Sequence, residues 1–301
     1  MKHVDSVEII EVSPRDGIQN EKNFIPTEDK VAFINAINKT GVKRIEASSF
    51  VHPKYVPQMA DAQEVVKNIK MDEDIQYMVL IPNEKGYERA HENNINALNL
   101  VVGASDTFNQ RNVRMSRDQS MIALEKIIHQ AKKNGAFVRY SIATSFWCPF
   151  EGEVKEEIVL KMIDKVEAIG IDEFTICDTI GKANPKQVYR LFKNILDLSP
   201  KAKISAHFHD TYGMAQANVI ASLEAGVRSF DSAIGGLGGC PFAPGAAGNL
   251  STEDLVYMLH NMGIETGIDI NRLLEAVSFI KPLTNRELTG HLYKVSEGCI
   301  V

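Results

Sequence analysis

One feature constrains this chain more than any other. Eight times in succession, a short run rich in apolar and β-branched residues gives way to a longer amphipathic stretch. The pattern predicts strands over Val7–Val12, Lys43–Ala47, Ile75–Ile81, Ala97–Val102, Phe137–Ala143, Glu173–Cys177, Lys203–Phe208 and Arg228–Ala233. The stretches between them carry helix signals. Thr27 precedes an apolar stripe through Val31, Ile34 and Ile37 that ends at Gly41, and Pro185 stands where a helix would take its first residue.

Strand-then-helix alternation implies parallel pairing, because parallel neighbours need a crossover between them. Eight such units in about 250 residues suit a closed barrel. An open doubly wound sheet would carry a Gly-rich dinucleotide turn after its first strand, and Ser13-Pro14-Arg15-Asp16-Gly17 is not one. The expected fold is therefore α/β, a (β/α)8 TIM barrel. No composition break divides the chain, so one catalytic domain is expected over residues 1–301, with 270–301 as an added C-terminal helix and tail.

Composition narrows the partners. The formal charge of −6 is spread without long runs of one sign, which argues against a nucleic-acid face or a membrane-surface helix. The four cysteines, Cys148, Cys177, Cys240 and Cys299, form no C-x-x-C pair. The N-terminus shows no apolar targeting core, and no apolar run is long enough to span a bilayer. A reducing compartment, the cytoplasm, is the expected location.

In a barrel the chemistry sits at the C-terminal ends of the strands. Polar residues gather at those positions: Arg15 and Asp16 after the first strand, Glu46 on the second, Asp178 after the sixth, His207 and His209 on the seventh. The loop after the eighth brings Cys240 and then Asn249. In a strand, alternate side chains share a face, so His207 and His209 point the same way. Two imidazoles, a carboxylate and an amide oxygen form a mixed shell that suits Mg²⁺ or Mn²⁺. Such an ion polarises a hydroxyl or carbonyl, and a nearby arginine stabilises an oxyanion. The Gly-rich segment 235–248 lacks the phosphate-cradling P-loop pattern, so it is expected to act as a lid carrying Cys240.

Three segments carry a resemblance. Glu11-Val-Ser-Pro-Arg-Asp-Gly-Ile-Gln-Asn-Glu21, His207-Phe-His-Asp-Thr-Tyr-Gly213 and Gly236-Leu-Gly-Gly-Cys-Pro-Phe-Ala243 resemble the signatures of the 3-hydroxy-3-methylglutaryl-CoA lyase family, a branch of the metal-dependent aldol lyases and Claisen-type synthases. The resemblance implies cleavage of an acyl-CoA substrate to acetyl-CoA and acetoacetate, and a homodimer. It implies that Asp16, His207, His209 and Asn249 hold a divalent cation. Asp16 or His207 would accept the hydroxyl proton, Arg15 would stabilise the enolate, and Cys240 would protonate it. Glu46 and Asp178 would orient ligands and Arg15, with Gln19 and Lys22 near the substrate. Departures from the family pattern are Ser13 and Trp147, each in place of glycine, and Cys177 in Ile176-Cys-Asp-Thr179. They bear on the acyl group accepted. The alternatives are a lyase for a related 3-hydroxyacyl-CoA, a Claisen-type synthase, and an inactive barrel that binds acyl-CoA.

Overall fold

The computed structural model describes residues 4–239 and 248–298. Eight parallel strands close into a barrel: β1 (Glu8–Glu11), β2 (Arg44–Ser49), β3 (Gln76–Ile81), β4 (Ala97–Gly103), β5 (Phe137–Ala143), β6 (Glu173–Asp178), β7 (Lys203–Phe208) and β8 (Ser229–Ser232). Each pairs with its neighbours in sequence, and the ring shuts where β1 meets β8, Ile10 opposite Asp231. The predicted TIM barrel is the observed one.

Helices ring the barrel: α1 (Thr27–Ile37), α2 (Ala62–Asn68), α3 (Glu84–Glu92), α4 (Asp106–Val113), α5 (Arg117–Lys133), α6 (Glu156–Glu167), α7 (Pro185–Leu198), α8 (Ala215–Ala225) and α9 (Thr252–Asn261). The longer ones follow local rules. In α7, Asn184 and Gln187 form a reciprocal capping box before Pro185. Its buried residues, Val188, Leu191, Phe192 and Ile195, recur at helical spacing, and Phe192 meets Phe208 of β7 edge to face at 6.4 Å. Among the described residues, no helix is long and apolar enough to cross a membrane.

Four features differ from the sequence pattern. The segment after β4 forms α4, capped by Ser105, with only Phe108 and Asn109 buried. That is too thin an apolar stripe to be seen in the sequence. Residues Trp147–Cys148 and Gly152–Glu153 pair as a small antiparallel hairpin in the β5–α6 connection. The turn after β1 is π-helical, with Gly17 N–H donating to the Val12 carbonyl. Beyond the barrel the chain forms two helices rather than one, α10 (Ile270–Ile280) and α11 (His291–Gly298).

Barrel interiors are usually filled by branched apolar side chains. This one is threaded by charge. Arg44 on β2 reaches across to Glu173 on β6 (Nη1–Oε2 2.7 Å), and Arg139 on β5 reaches Asp231 on β8 (Nη2–Oδ1 2.5 Å). Strands that are not neighbours touch only through the lumen, so these side chains point inward. Arg139 Nε lies 2.9 Å from Glu173 Oε1, and Glu8 receives Arg44 Nη1 at 3.1 Å. The row runs without a break from the N-terminal mouth of the barrel to Asp231, and from there to the candidate site.

Candidate metal centre

Three separate segments build the site. The π-helical turn after β1 aims Arg15 and Asp16 inward, and both are buried. The alternation of β7 sends His207 to the same face as the next inward position, His209. After β8 the chain returns alongside β7, where Asn249 pairs with His209 and Leu250 N–H donates to the Phe208 carbonyl. Two glycines permit this close approach. Gly181 sits at φ +67°, and a Cβ there would stand 2.7 Å from the His209 carbonyl. Gly238, at φ +113°, would put one 2.4 Å from Asn249 Nδ2.

Asp16 is the hub. Its Oδ1 accepts from Arg15 Nη1 at 2.5 Å and from Gln19 Nε2 at 2.6 Å. Its Oδ2 accepts from Asn249 Nδ2 at 2.8 Å. His207 Nε2 and His209 Nε2 both face that same oxygen, at 3.8 and 3.7 Å. Those separations are too long for hydrogen bonds and short enough for atoms sharing one ion. One donor atom from each of Asp16, His207 and His209 lies within 4.8 Å of the others. The donor set, two imidazole nitrogens and a carboxylate oxygen, fits a hard or borderline divalent cation. As placed, Asn249 turns its amide nitrogen to Asp16 and to the Leu237 carbonyl (2.9 Å).

The electrostatics agree with this grouping. Burial alone would raise the Asp16 pKa, but Arg15, His207, His209 and the Asn249 amide outweigh it and hold the carboxyl well below its usual range. Burial, reinforced by His207 and Arg15, pushes His209 down to about 4 despite Asp16, so its ring is neutral and its lone pair available.

The other predicted residues fall as follows. Glu46 is fully buried and takes Arg15 Nε at 2.6 Å and Nη2 at 2.5 Å, fixing the guanidinium beside Asp16. The far oxygen of Glu46 accepts from Asn99, whose own oxygen accepts from Ser141, each at 2.7 Å. Asp178 does not touch Arg15. Its carboxylate accepts from the Lys182 and Ala183 amides at 3.0 and 2.9 Å and shapes the loop after β6. Burial raises its pKa to about 6 against those bonds. Gln19 bonds Asp16, while Lys22 is exposed. Cys240 lies outside the described residues. The root of its loop is held by Asn20 on the Gly239 carbonyl and by Arg286, which bridges Glu21 and the Gly238 carbonyl. Trp147 faces Lys182, whose ammonium sits 4.1 Å over the indole ring.

Sequence reasoning passed over Asp231, Arg139 and Asn99. A signal was present. Arg139 and Ser141, like Ser229 and Asp231, alternate with apolar residues in strands that a barrel buries on both faces. Polar residues at every second position of such a strand mark a polar lumen.

Comparison with known proteins places this geometry in context. The chain is 42% identical over 293 residues to hydroxymethylglutaryl-CoA lyase YngG of Bacillus subtilis, covering 96% of this chain and 98% of that one. It superposes on the crystal structure of the Bacillus subtilis HMG-CoA lyase with a TM-score of 0.96 at 40% identity, over 99% and 100% of the two chains. An HMG-CoA lyase from Acinetobacter baumannii, solved in complex with coenzyme A and 3-methylmalate, matches with a TM-score of 0.93 at 43% identity, over 99% and 97%. The HMGL-like family model matches residues 6–280, and the chain belongs to that family.

Proposed function

We propose that this chain is a divalent-metal-dependent carbon–carbon lyase that cleaves 3-hydroxy-3-methylglutaryl-CoA to acetyl-CoA and acetoacetate. The observation that carries the reading is the convergence of Asp16, His207 and His209 beside the Arg15 guanidinium. Relatives named for this activity, and one solved with coenzyme A, support the substrate class.

Asp16, His207 and His209 would hold the ion, with the Asn249 amide oxygen as a fourth ligand. When bound, Mg²⁺ or Mn²⁺ supplies a Lewis acid that lowers the pKa of the substrate's tertiary hydroxyl. Asp16 would take the hydroxyl proton, because a His207 ring that gives Nε2 to the ion and carries its proton on Nδ1 has no lone pair left to accept one. The bond between the carbinol carbon and the thioester α-carbon then breaks, the carbinol carbon becomes a ketone, and the electron pair moves into the thioester enolate. Arg15 stabilises that enolate oxygen, held in place by both Glu46 contacts. Cys240 donates the proton that turns the enolate into acetyl-CoA.

One observation favours a second reading, cleavage of a related 3-hydroxyacyl-CoA. Cys177 stands in register with His207 on the adjacent strand and is buried. Its thiol occupies inner-wall space that the family pattern leaves to glycine.

The test is acetyl-CoA release by purified protein from a panel of 3-hydroxyacyl-CoAs with Mg²⁺ or Mn²⁺. The expected result is fastest cleavage of the 3-hydroxy-3-methylglutaryl ester, abolished by chelator and restored by added metal. Release from no member of the panel, with metal bound, overturns the lyase reading.

A further inference from the structure

The two histidines of the site are not equivalent. His209 Nδ1 is buried and has no hydrogen-bond partner among the described residues. His207 Nδ1 lies 2.9 Å from Asp231 Oδ2. A carboxylate only accepts, so this contact puts the proton of a neutral His207 ring on Nδ1 and leaves the lone pair on Nε2. Nε2 is the atom that faces Asp16.

Asp231 is itself held. Its other oxygen accepts from Arg139 Nη2 at 2.5 Å, and the same nitrogen lies 2.8 Å from Ser205 Oγ. Arg139 is completely buried and also paired with Glu173, which Ser205 contacts at 2.8 Å. The carboxylate of Asp231 is thus pinned at both oxygens, by a cation on one side and an imidazole on the other.

We propose that Asp231, locked by Arg139, is a positioning residue that fixes the tautomer and ring orientation of His207 so that its Nε2 lone pair stays open to the metal centre. The assignment rests on the reading of Asp16, His207 and His209 as that centre. It adds a carboxylate–histidine–metal relay, of the kind that raises ligand basicity, on one histidine only.

Arg139 makes the assignment testable with an isosteric change. In Asp231→Asn the guanidinium still demands an acceptor, so the amide oxygen turns toward Arg139 and the NH₂ toward His207. That NH₂ donates to Nδ1, which drives the proton to Nε2 and closes the lone pair toward the site. Two readouts follow, neither of them activity. In ¹⁵N-histidine NMR of metal-free protein, wild-type His207 is expected to carry its proton on Nδ1, and Asp231→Asn on Nε2, with His209 unmoved. In Mn²⁺ titrations, Asp231→Asn is expected to bind roughly 10- to 100-fold more weakly than wild type. Ser205→Ala loosens the same buried cluster without touching His207, and its Mn²⁺ affinity is expected to stay within about twofold of wild type.

Wild-type His207 protonated on Nε2 overturns the proposal before any variant is made. So does an Asp231→Asn protein that binds Mn²⁺ as wild type does, and so does an equal loss in Ser205→Ala, which would mark a general loosening. Failure of wild-type protein to bind Mn²⁺ overturns instead the metal-centre reading beneath it.

Discussion

In the lower half of the barrel, Glu8, Arg44, Glu173, Arg139 and Asp231 meet in contact; in the upper half, Asp16, His207 and His209 stop just short of one another. Below, every carboxylate has a guanidinium within 2.5 to 3.1 Å. Above, two imidazole nitrogens hold off from the Asp16 oxygen at 3.7 and 3.8 Å. Buried ions that touch complementary ions are satisfied and rigid. Donors that converge on one point without touching leave room for a guest. Buried charged groups thus serve as scaffold in one half and would serve as a receptor in the other, and Asp231 is the joint between them.

The comparison can be broken from either side. The largest effect is expected on function from the upper half. Asp16→Ala should lower Mn²⁺ affinity by at least about 100-fold, more than loss of an outer-shell partner, and remove turnover with it. Arg15 keeps Glu46, so stability should move by no more than about 1 kcal/mol. Calorimetric titration and a melting curve on one sample read both, and a collapse in melting temperature would erase the distinction. The lower half should show the reverse. Arg139→Met leaves Asp231 buried without its cation and Glu173 with Arg44 alone, and is expected to lower unfolding free energy by about 3–5 kcal/mol, seen as a lower urea midpoint. A midpoint equal to wild type would show that this network is not structural support.

The smallest effect sharpens the contrast. Glu253, at the upper end, is buried, donates nothing, accepts from the Gly235 N–H at 3.0 Å and forms no ion pair among the described residues. Burial pushes its pKa up to about 7. The folded chain therefore holds this proton more tightly than the unfolded chain, whose carboxyl releases it near the ordinary value of 4.5. Its contribution to stability is present in full below that value and is lost as pH rises toward 7, by at most about 3 kcal/mol. Glu253→Gln should flatten the pH dependence of the melting temperature across that window. An unchanged slope would mean that the carboxyl is paired after all.

The sequence carried the frame of the molecule more openly than its interior. Alternating runs sufficed for eight strands and a closed ring, because period-two and helical patterns are local. Asp16, His207 and His209 could be named together because a barrel sends the ends of its strands to one rim. Arg139 and Asp231 were harder to see, since each sits mid-strand and its partner lies about ninety residues away. The expectation of an apolar lumen also works against reading them. Asp178 illustrates a different limit: position alone puts it at the rim, while its hydrogen bonds show it shaping a loop. Short α4 escaped notice because Ser105 and Asn109 build it with polar bonds to Gly103 and Phe108 rather than with an apolar stripe.

The closure of β1 against β8 has a consequence for how the protein is born. Asp16 and Asn249 touch although 233 positions separate them. A chain emerging from the ribosome presents its carboxylate early and must then be synthesised almost to its end before the last member of the site arrives. Capture of an ion by the full set would therefore wait until the final strand is made, and its binding energy would close a loop of 233 positions. A bound ion would act as a clasp on the finished ring, so truncated or half-made chains should not compete for the cell's supply of it.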